Sequence, residues 1–508
     1  MIKQWQSMLD YQCFLNHSKA VFDSSERQRL HSELWIPWQK LRLFDTDRAM
    51  AFLLPFYSST GRPATNQPQI LRSFILFFIL FFILFFILFF LLLSMGLTPP
   101  SITAWIARPK QDRVLAALIG CPIHSLPPLG SYFDFMNRLW AAPSTNLYSR
   151  KKLLPASWNR KKTDKPKGKG QKAPEAKQQI TKLLSDRILS GKDIPFNFEA
   201  RLQKFFYLVA VVPSMESGLI ALENLTVSGD GTAVHTHANP RGHHCKDAPA
   251  SVGDADTSPR HFSDPDASWG WDSDLDKYYY GYTLFQFSCY NSELHTDLPL
   301  LFRFTSAKRH DSVNALVAFH ELEKHMPALS IKNMCFDSAM DNLPTYTLLQ
   351  NRKISAFIDL NSKCGRPKTI PDTIKIDKNG TPICQEGRCM VPNGYDKTKG
   401  YLMWRCPFGK EHACKCKNSC SSAKYGRFVK TRPDWDIRLY TDVPRGTDAY
   451  KKIYNQRTAT ERINNRILND YGLHRLMIHR KSHYSFLTAM ISICIHLDAR
   501  YKQLQTVA

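Results

Sequence analysis

Three acidic residues stand where a divalent metal site could form. Asp230 follows an apolar stretch in LTVSGDGT, Asp337 follows another in IKNMCFDSAMD, and Glu461 lies in YNQRTATERIN, which has helical spacing. Carboxylate oxygen is the ligand that Mg²⁺ and Mn²⁺ prefer, and two such ions can stabilise both oxygens of a phosphoryl transfer. The acids therefore predict metal-dependent chemistry on phosphates. Other candidate acids are Asp264, Asp266 and Asp272, which form a dense acidic loop, and Asp341.

A cysteine-rich segment is the second group of residues with chemical potential. Six of the thirteen cysteines lie between Cys384 and Cys420. The chain shows no export signal, and this favours metal ligation over disulfides. Zn²⁺ needs four thiolate or imidazole ligands, and we predict a structural zinc on Cys384, Cys406, Cys416 and Cys420. Because regular CxxC pairs are absent, reduced structural cysteines and a redox role stay open.

Alternating strand and helix patterns predict the sheet that positions the acids. Strands in LTVSGDGT, at Tyr278–Asn291 and at Leu298–Ala307 can form a meander. A helix at Ser312–Met326 follows, then a strand in IKNMCF, a helix in PTYTLLQNRK and a strand in ISAFIDLNS, and these crossovers imply parallel pairing. This is the order of an RNase H-like mixed α/β sheet with flanking helices. Asp230 is expected at the end of the first strand and Asp337 at the end of the fourth.

Composition shifts divide the rest of the chain. The N-terminal part is predicted to be helical and DNA-binding, with helices in SITAWIARPKQDRVLAALIGC and in SYFDFMNRLW. A linker rich in Lys, Pro and Gly follows it and is predicted to be disordered. The predicted divisions are a helical domain at 1–148, the basic linker at 149–180, the first part of the catalytic domain at 181–361, the Cys-rich insertion at 362–448 and the rest of the catalytic domain at 449–508.

The charge of the chain indicates a polyanionic partner. The net charge is +24, the pI is about 9.5 and the mean hydropathy is −0.33. A strongly basic balance is typical of proteins that bind nucleic acid, although a generally basic cytosolic protein has the same composition. With no targeting signal recognised, we expect a cytoplasmic protein.

The apolar segment 74–93 raises the alternative of a membrane anchor. It contains Ile-Leu-Phe-Phe four times, from Ile75 to Phe90. Twenty residues of helix would cross a bilayer core of about 30 Å. On a helix, however, residues four positions apart are rotated by about 40° about the axis. A four-residue repeat therefore keeps its members neither on one face of the helix nor along a coiled-coil seam. We therefore favour a repeat expansion within a shorter helix, and a membrane partner is not expected.

The stretch around Glu461 combines an acid with a cation. On a helix, Tyr454, Arg457 and Glu461 fall within about 60° of each other. A guanidinium beside a metal-binding carboxylate can bind a phosphate through two parallel hydrogen bonds. The simpler interpretation is an ordinary ion pair at i, i+4 between Arg457 and Glu461.

With these residues in place, the sequence resembles the DDE transposases of bacterial insertion sequences. The motifs that carry the resemblance are SGDGT, FSDPDASWGWDS, TDLPLLFRFTSAKRHDS, FDSAMDNLPTY and YNQRTATERIN. The last is similar to the family's Tyr-Arg-Glu signature, from Tyr454 through Arg457 to Glu461. The signature ends in a basic residue seven positions after the Glu, where this chain has Leu468.

The resemblance implies a mechanism and a set of roles. Asp230 would bridge two Mg²⁺ or Mn²⁺ ions, and Asp337 and Glu461 would each bind one of them. The ions activate water to nick the end of a DNA element, and the freed 3′-OH attacks target DNA. Partners would be the element ends, the target DNA and further copies of the chain. Residues expected to contact DNA phosphates are Tyr454, Arg457, Lys308 and Arg309.

Two other functions stay open. The chain could be a membrane-anchored protein that uses the segment 74–93 as its span. It could also be a zinc-containing DNA-binding protein without catalysis.

Overall fold

A computed structural model describes most of the 508 residues. Side chains are not described at 81–94, 150–152, 176–179 and 507. The described residues are 2, 4–61, 63–94, 101–142, 150–152, 176–194, 197–244, 260–273, 275–361, 369–396, 398–408, 420–421, 423 and 426–507.

The N-terminal part is helical, as predicted. Pro109 and a short 3₁₀ turn at Arg108–Lys110 divide the predicted helix SITAWIARPKQDRVLAALIGC into two helices, because proline lacks the N–H that would continue the ladder. Asp112 then caps the second helix by accepting hydrogen bonds from the Val114 and Leu115 amides. The helices are α1 Met8–Ala20, α2 Ser24–Ser32, α3 Trp35–Leu43, α4 Met50–Leu53, α5 Gln67–Ser94, α6 Ile102–Ala107, α7 Arg113–Ile119 and α8 Leu129–Arg138.

Short elements follow before and within the central sheet. The predicted linker at 149–180 includes strand β1 (Arg150–Lys152) and the first residues of helix α9 (Ala176–Leu189). Residues 153–175 between them lie outside the described part of the chain. The elements that follow are α10 Ala200–Phe206, α11 Val212–Glu216, β2 Leu225–His235, β3 His243–His244, β4 Arg260–Phe262, β5 Ser268–Asp272, β6 Lys277–Asn291, β7 Thr296–Ser306, α12 Asp311–His325, β8 Ile331–Phe336, α13 Leu343–Asn351 and β9 Ser355–Ile358.

The central sheet has the predicted RNase H-like order. Strands β2, β6 and β7 form an antiparallel meander, with β6 in its centre. Strand β8 pairs parallel to the other side of β2, and β9 pairs parallel to β8. Strand β5 pairs with the first residues of β6, beyond the end of β7. The sequence predicted a loop at this position, so the prediction of an acidic loop is wrong at β5.

The Cys-rich insertion has a sheet of its own. It contains β10 (Val391–Asp396), β11 (Tyr401–Arg405) and β12 (Phe428–Thr431), which pair in antiparallel order. Its core includes Trp404 and Tyr440. After it the chain returns to the central sheet through helices α14 Asp448–Tyr454, α15 Thr458–Asn465 and α16 Lys481–Val507.

One hydrophobic core joins the N-terminal helices to the central sheet. The start of the apolar repeat in α5 packs against the C-terminal helix α16, where Phe74 and Phe486 make an edge-to-face contact at 4.9 Å. Side chains from Ile70 to Leu80 are buried. Among the residues that the structure describes, no helix is long and apolar enough to cross a membrane. The second half of the repeat lies beyond the described side chains.

A buried histidine anchors α16 to the sheet. His496 is fully buried, its Nδ1 lies 2.7 Å from the Ser214 hydroxyl, and its Nε2 lies 2.8 Å from the Pro299 carbonyl. A carbonyl only accepts, so Nε2 carries the proton and Nδ1 accepts from Ser214. Burial lowers the pKa of His496 to about 4, because the charged form is poorly solvated there.

The buried histidine predicts acid-sensitive folding. The unfolded chain binds a proton at His496 near pH 6.5, whereas the folded chain binds it only near pH 4. The contribution of neutral His496 to the free energy of unfolding is therefore fully present above pH 6.5. It is lost as the pH drops towards 4, by about 3 kcal/mol in total. We expect the free energy of urea unfolding to decrease less between pH 7.5 and pH 5 in His496→Gln than in the unsubstituted protein. Equal losses in both proteins would contradict this origin.

Candidate active site

The three predicted acids line one cleft at the edge of the central sheet. The cleft has a volume of about 1630 Å³ and is bordered by β2, α12, α15 and the loop that follows β8. Asp230, Asp337 and Glu461 all line it. Sequence reasoning therefore identified residues that the fold brings to a common space from three distant parts of the chain.

Asp230 lies within its strand and not at the end of it. Strand β2 continues to His235, and Asp230 pairs with Gln286 of β6. The predicted position at the strand end is therefore wrong. The parallel pairing between β2 and β8 does end close to Asp230. Its last pair is Ser228 with Cys335. Beyond that pair, the β8 side of β2 opens into the cleft.

The register of the two strands explains why Asp230 and Asp337 lie near each other. Continuing the Ser228–Cys335 pair by two residues brings Asp230 and Asp337 to the same level, on adjacent strands that lie about 4.8 Å apart. Asp337 directly follows β8, as predicted, and its carboxylate accepts a hydrogen bond of 3.1 Å from the Ala339 amide. The two carboxylates therefore face the same opening.

Two glycines of the SGDGT motif allow neighbouring side chains to pack closely against β2 on either side of Asp230. A Cβ at Gly229 would lie 2.5 Å from the Phe336 ring and 2.6 Å from the Phe287 ring. A Cβ at Gly231 would lie 2.6 Å from the carboxylate of Asp311. The glycines are needed because side chains from three other elements close on the strand around Asp230.

Asp311 is an acid of the cleft that the sequence analysis did not single out. It is the first residue of α12, and it lines the cleft beside Asp230. The signal was present in the quoted stretch TSAKRHDS, but the contact with Gly231 depends on the packing of α12 against β2. Asp341, which was a candidate, also lines the cleft, and it accepts hydrogen bonds from the Asn361 amide at 2.8 Å and from Arg438 at 3.4 Å. These contacts tie Asp341 to the insertion.

The acids of the cleft disfavour each other's ionisation. Burial, and then the charge of Asp337, raise the pKa of Asp230 to about 7, while Arg457 opposes the shift. Burial also raises the pKa of Asp337 and that of Asp311. Like charges in a poorly solvated space are destabilising unless a cation compensates them.

Glu461 is paired with the neighbouring cation. Its carboxylate lies 2.8 Å from a guanidinium nitrogen of Arg457, and 45% of its side chain is exposed. The ion pair considered from the sequence is therefore present, and Arg457 also lines the cleft. Tyr454 stacks on Tyr450 with ring centres 5.8 Å apart and is not among the residues that line the cleft.

A buried set of hydroxyl groups positions the helix that carries Glu461. The Thr460 hydroxyl lies 2.7 Å from that of Ser228 and 2.5 Å from that of Ser288. Ser228 precedes Asp230 by two residues and therefore shares its face of β2. These three residues, which we call the hydroxyl triad, are almost completely buried. They connect the strand of Asp230 directly to the residue before Glu461.

Two cationic residues lie at the mouth of the cleft. Lys308 and Arg309 follow β7, are exposed and line the cleft together with the acids. Leu468, which replaces the basic residue of the signature, is buried and also borders the cleft. The cleft thus combines a carboxylate floor with positive charge near its opening.

The predicted zinc ligands are partly described. Cys384 is buried in the core of the insertion and Cys406 is also buried, whereas Cys420 is half-buried. Cys416 lies outside the described residues. Nowhere in the described ranges does a group of three His, Cys, Asp or Glu residues lie close enough to hold a metal ion. Zinc at this position stays a prediction.

The fold and this cleft define an RNase H-like protein with acids at the edge of its sheet. The sequence profile of the family described as "Transposase DDE domain" matches residues 246–497. The match identifies this region as a DDE transposase domain and confirms the resemblance. It contains Asp337 and Glu461 and begins after Asp230. No curated protein matches the chain.

Proposed function

We propose that this protein is the DNA transposase of an insertion sequence, which binds the ends of its element, cleaves DNA strands and transfers them to target DNA. The observation that carries the proposal is the single cleft of the RNase H-like domain that Asp230, Asp337 and Glu461 all line. The transposase DDE domain match supports it independently. Further copies of the chain would complete the complex that holds two element ends, and the proposed compartment is the cytoplasm.

The carboxylates that line the cleft have the chemistry of a divalent metal site, but no three of these described acids lie close enough together in this structure to hold an ion. Hard cations such as Mg²⁺ and Mn²⁺ prefer carboxylate oxygen, and Asp230 and Asp337 lie side by side at one level of the sheet. Glu461 is bonded to Arg457, so we propose that it exchanges this partner to serve as a ligand. When bound, the two ions supply an activated water and stabilise the negative charge of phosphoryl transfer.

The other residues of the cleft have roles in binding DNA. Arg457 is paired with Glu461, interacts electrostatically with Asp230 and can bind a phosphate oxygen from its place on the helix. Lys308 and Arg309 at the mouth can neutralise phosphates on either side of the reacting bond, and this makes affinity salt-dependent. Tyr454 supports Arg457, whose guanidinium lies 5.8 Å from the centre of the Tyr454 ring.

Nicking of the element's own DNA tests the proposal. We expect the purified protein to convert a supercoiled plasmid that carries the gene with its flanking DNA to the open circular form. The reaction should need Mg²⁺ or Mn²⁺ and should stop on addition of EDTA. A plasmid without the flanks is the control. Specific binding of the flanks without nicking in either metal would support the non-catalytic DNA-binding alternative.

A further inference from the structure

Beside the cleft, an exposed aromatic surface has no role in the function proposed above. Strand β5 and residues Lys277–Gly281 of β6 form what we call the aromatic hairpin. Trp269 pairs with Tyr280 and Trp271 pairs with Tyr278, so the four rings lie on one face. Of these side chains, Trp269 is 41% exposed, Trp271 52% and Tyr278 71%.

The opposite face of the aromatic hairpin is held against the basic loop of the cleft. A Cβ at Gly270 would lie 2.8 Å from Ala307, so the two backbones touch. The Ser268 hydroxyl accepts hydrogen bonds from the Ser306 hydroxyl at 2.5 Å and from the Lys308 amide at 2.9 Å. The aromatic face is therefore rigidly placed relative to Lys308.

The aromatic hairpin is continuous with the cleft that contains the acids. Trp271 and Lys277 line the same cleft as Asp230. The Asp272 carboxylate accepts a hydrogen bond of 3.2 Å from the Leu275 amide and lies 3.2 Å from His235 Nε2. The contact with His235 holds the turn of the hairpin against β2. Of the four rings, Trp271 thus borders the cleft that Lys308 and Arg309 also line.

We infer that the aromatic hairpin binds unpaired nucleotides of the DNA strand next to the cleaved bond. Aromatic rings stack on bases whose faces are free, whereas neighbouring base pairs cover those faces in a duplex. The cations Lys277, Lys308 and Arg309 complement the phosphates of such a strand. The inference rests on the proposed function, since it places the strand in the same cleft.

Binding of tailed and blunt DNA tests the aromatic hairpin. The probes are a 20-base-pair duplex and the same duplex with an unpaired tail of four thymidines, with affinities measured by fluorescence anisotropy in EDTA. We expect the protein to prefer the tailed probe. The double variant Trp271→Ala, Tyr278→Ala should lose about tenfold or more of that preference, since stacking contributes about 1–3 kcal/mol per base. Its affinity for the blunt probe should not change.

Phe428→Ala is the matched control, because Phe428 is an exposed aromatic residue of the insertion, far along the chain from the hairpin. An equal loss of affinity for both probes in the double variant would overturn the inference. A changed oligomeric state in that variant would also overturn it, because it would indicate that the aromatic hairpin contacts another protein chain. A second measurement needs no variant: 2-aminopurine in the tail should be quenched on binding, and unquenched fluorescence would contradict stacking. Because metal is absent, these results are independent of nicking, which alone decides the proposed function.

Discussion

Asp230→Asn should reduce metal-dependent nicking by about a thousandfold or more, while DNA binding stays within about twofold. Asn keeps the shape of the side chain but removes the charge that would bind both ions. Loss of a group that stabilises a transition state costs several kcal/mol, and each 1.4 kcal/mol is tenfold in rate. The measurement is conversion of supercoiled plasmid by gel electrophoresis, with binding measured separately by anisotropy.

The position of Asp230 makes a matched control necessary. Asp448→Asn makes the same chemical change on a fully exposed side chain at the start of α14, and we expect it to nick normally. Removing the charge of Asp230 also relieves repulsion with Asp337, so the variant should be at least as stable to urea as the parent. Full nicking by Asp230→Asn would remove this residue from the site, and Asp311 would be the acid to test next.

Thr460→Val should reduce nicking by about a hundredfold with little effect on DNA binding. Valine fills the same volume, but it leaves the buried hydroxyls of Ser228 and Ser288 with only each other as partners. We expect a loss of about 1–3 kcal/mol of stability. Displacement of a positioned group by about 1 Å can cost about a hundredfold in rate. Nicking assays and urea unfolding measure the two effects.

Thr460→Ser is the control that separates position from stability. Serine restores the hydroxyl and should restore most of the nicking, although it loses a buried methyl group. A positioning role also predicts that Thr460→Val changes the maximal rate and not the DNA concentration at half-maximal rate. If Thr460→Val lost stability but nicked at the parental rate, the hydroxyl triad would be only structural.

Local patterns were enough to predict the main strands and helices of the RNase H-like domain. The long aromatic strand β6, strand β7, the amphipathic helix α12 and the parallel strands that follow all form within two residues of their expected limits, except at the ends that run into loops. Strand alternation and helical spacing are properties of neighbouring residues, so they can be read without a fold. The motif around Glu461 was predicted for the same reason, and its ion pair with Arg457 follows from i, i+4 spacing.

Only the tertiary structure decided which distant residues meet. The hydroxyl triad joins residues more than 200 positions apart, and nothing in the neighbourhood of Ser228 indicates Thr460 as its partner. Asp311 became part of the cleft through the packing of α12 on β2, and the loop expected near Asp272 became a hairpin because β6 is long enough to pair with it.

The burial of the N-terminal helices against α16 likewise could not be predicted from the sequence. An apolar repeat shows that a helix must be covered, but not by what, because hydrophobic burial is non-directional. The sequence by itself therefore determined the class of fold and the basic character of the chain, and it indicated three acids that line one cleft. The tertiary structure decided the neighbours of those acids, since their contacts depend on register and helix packing over hundreds of residues.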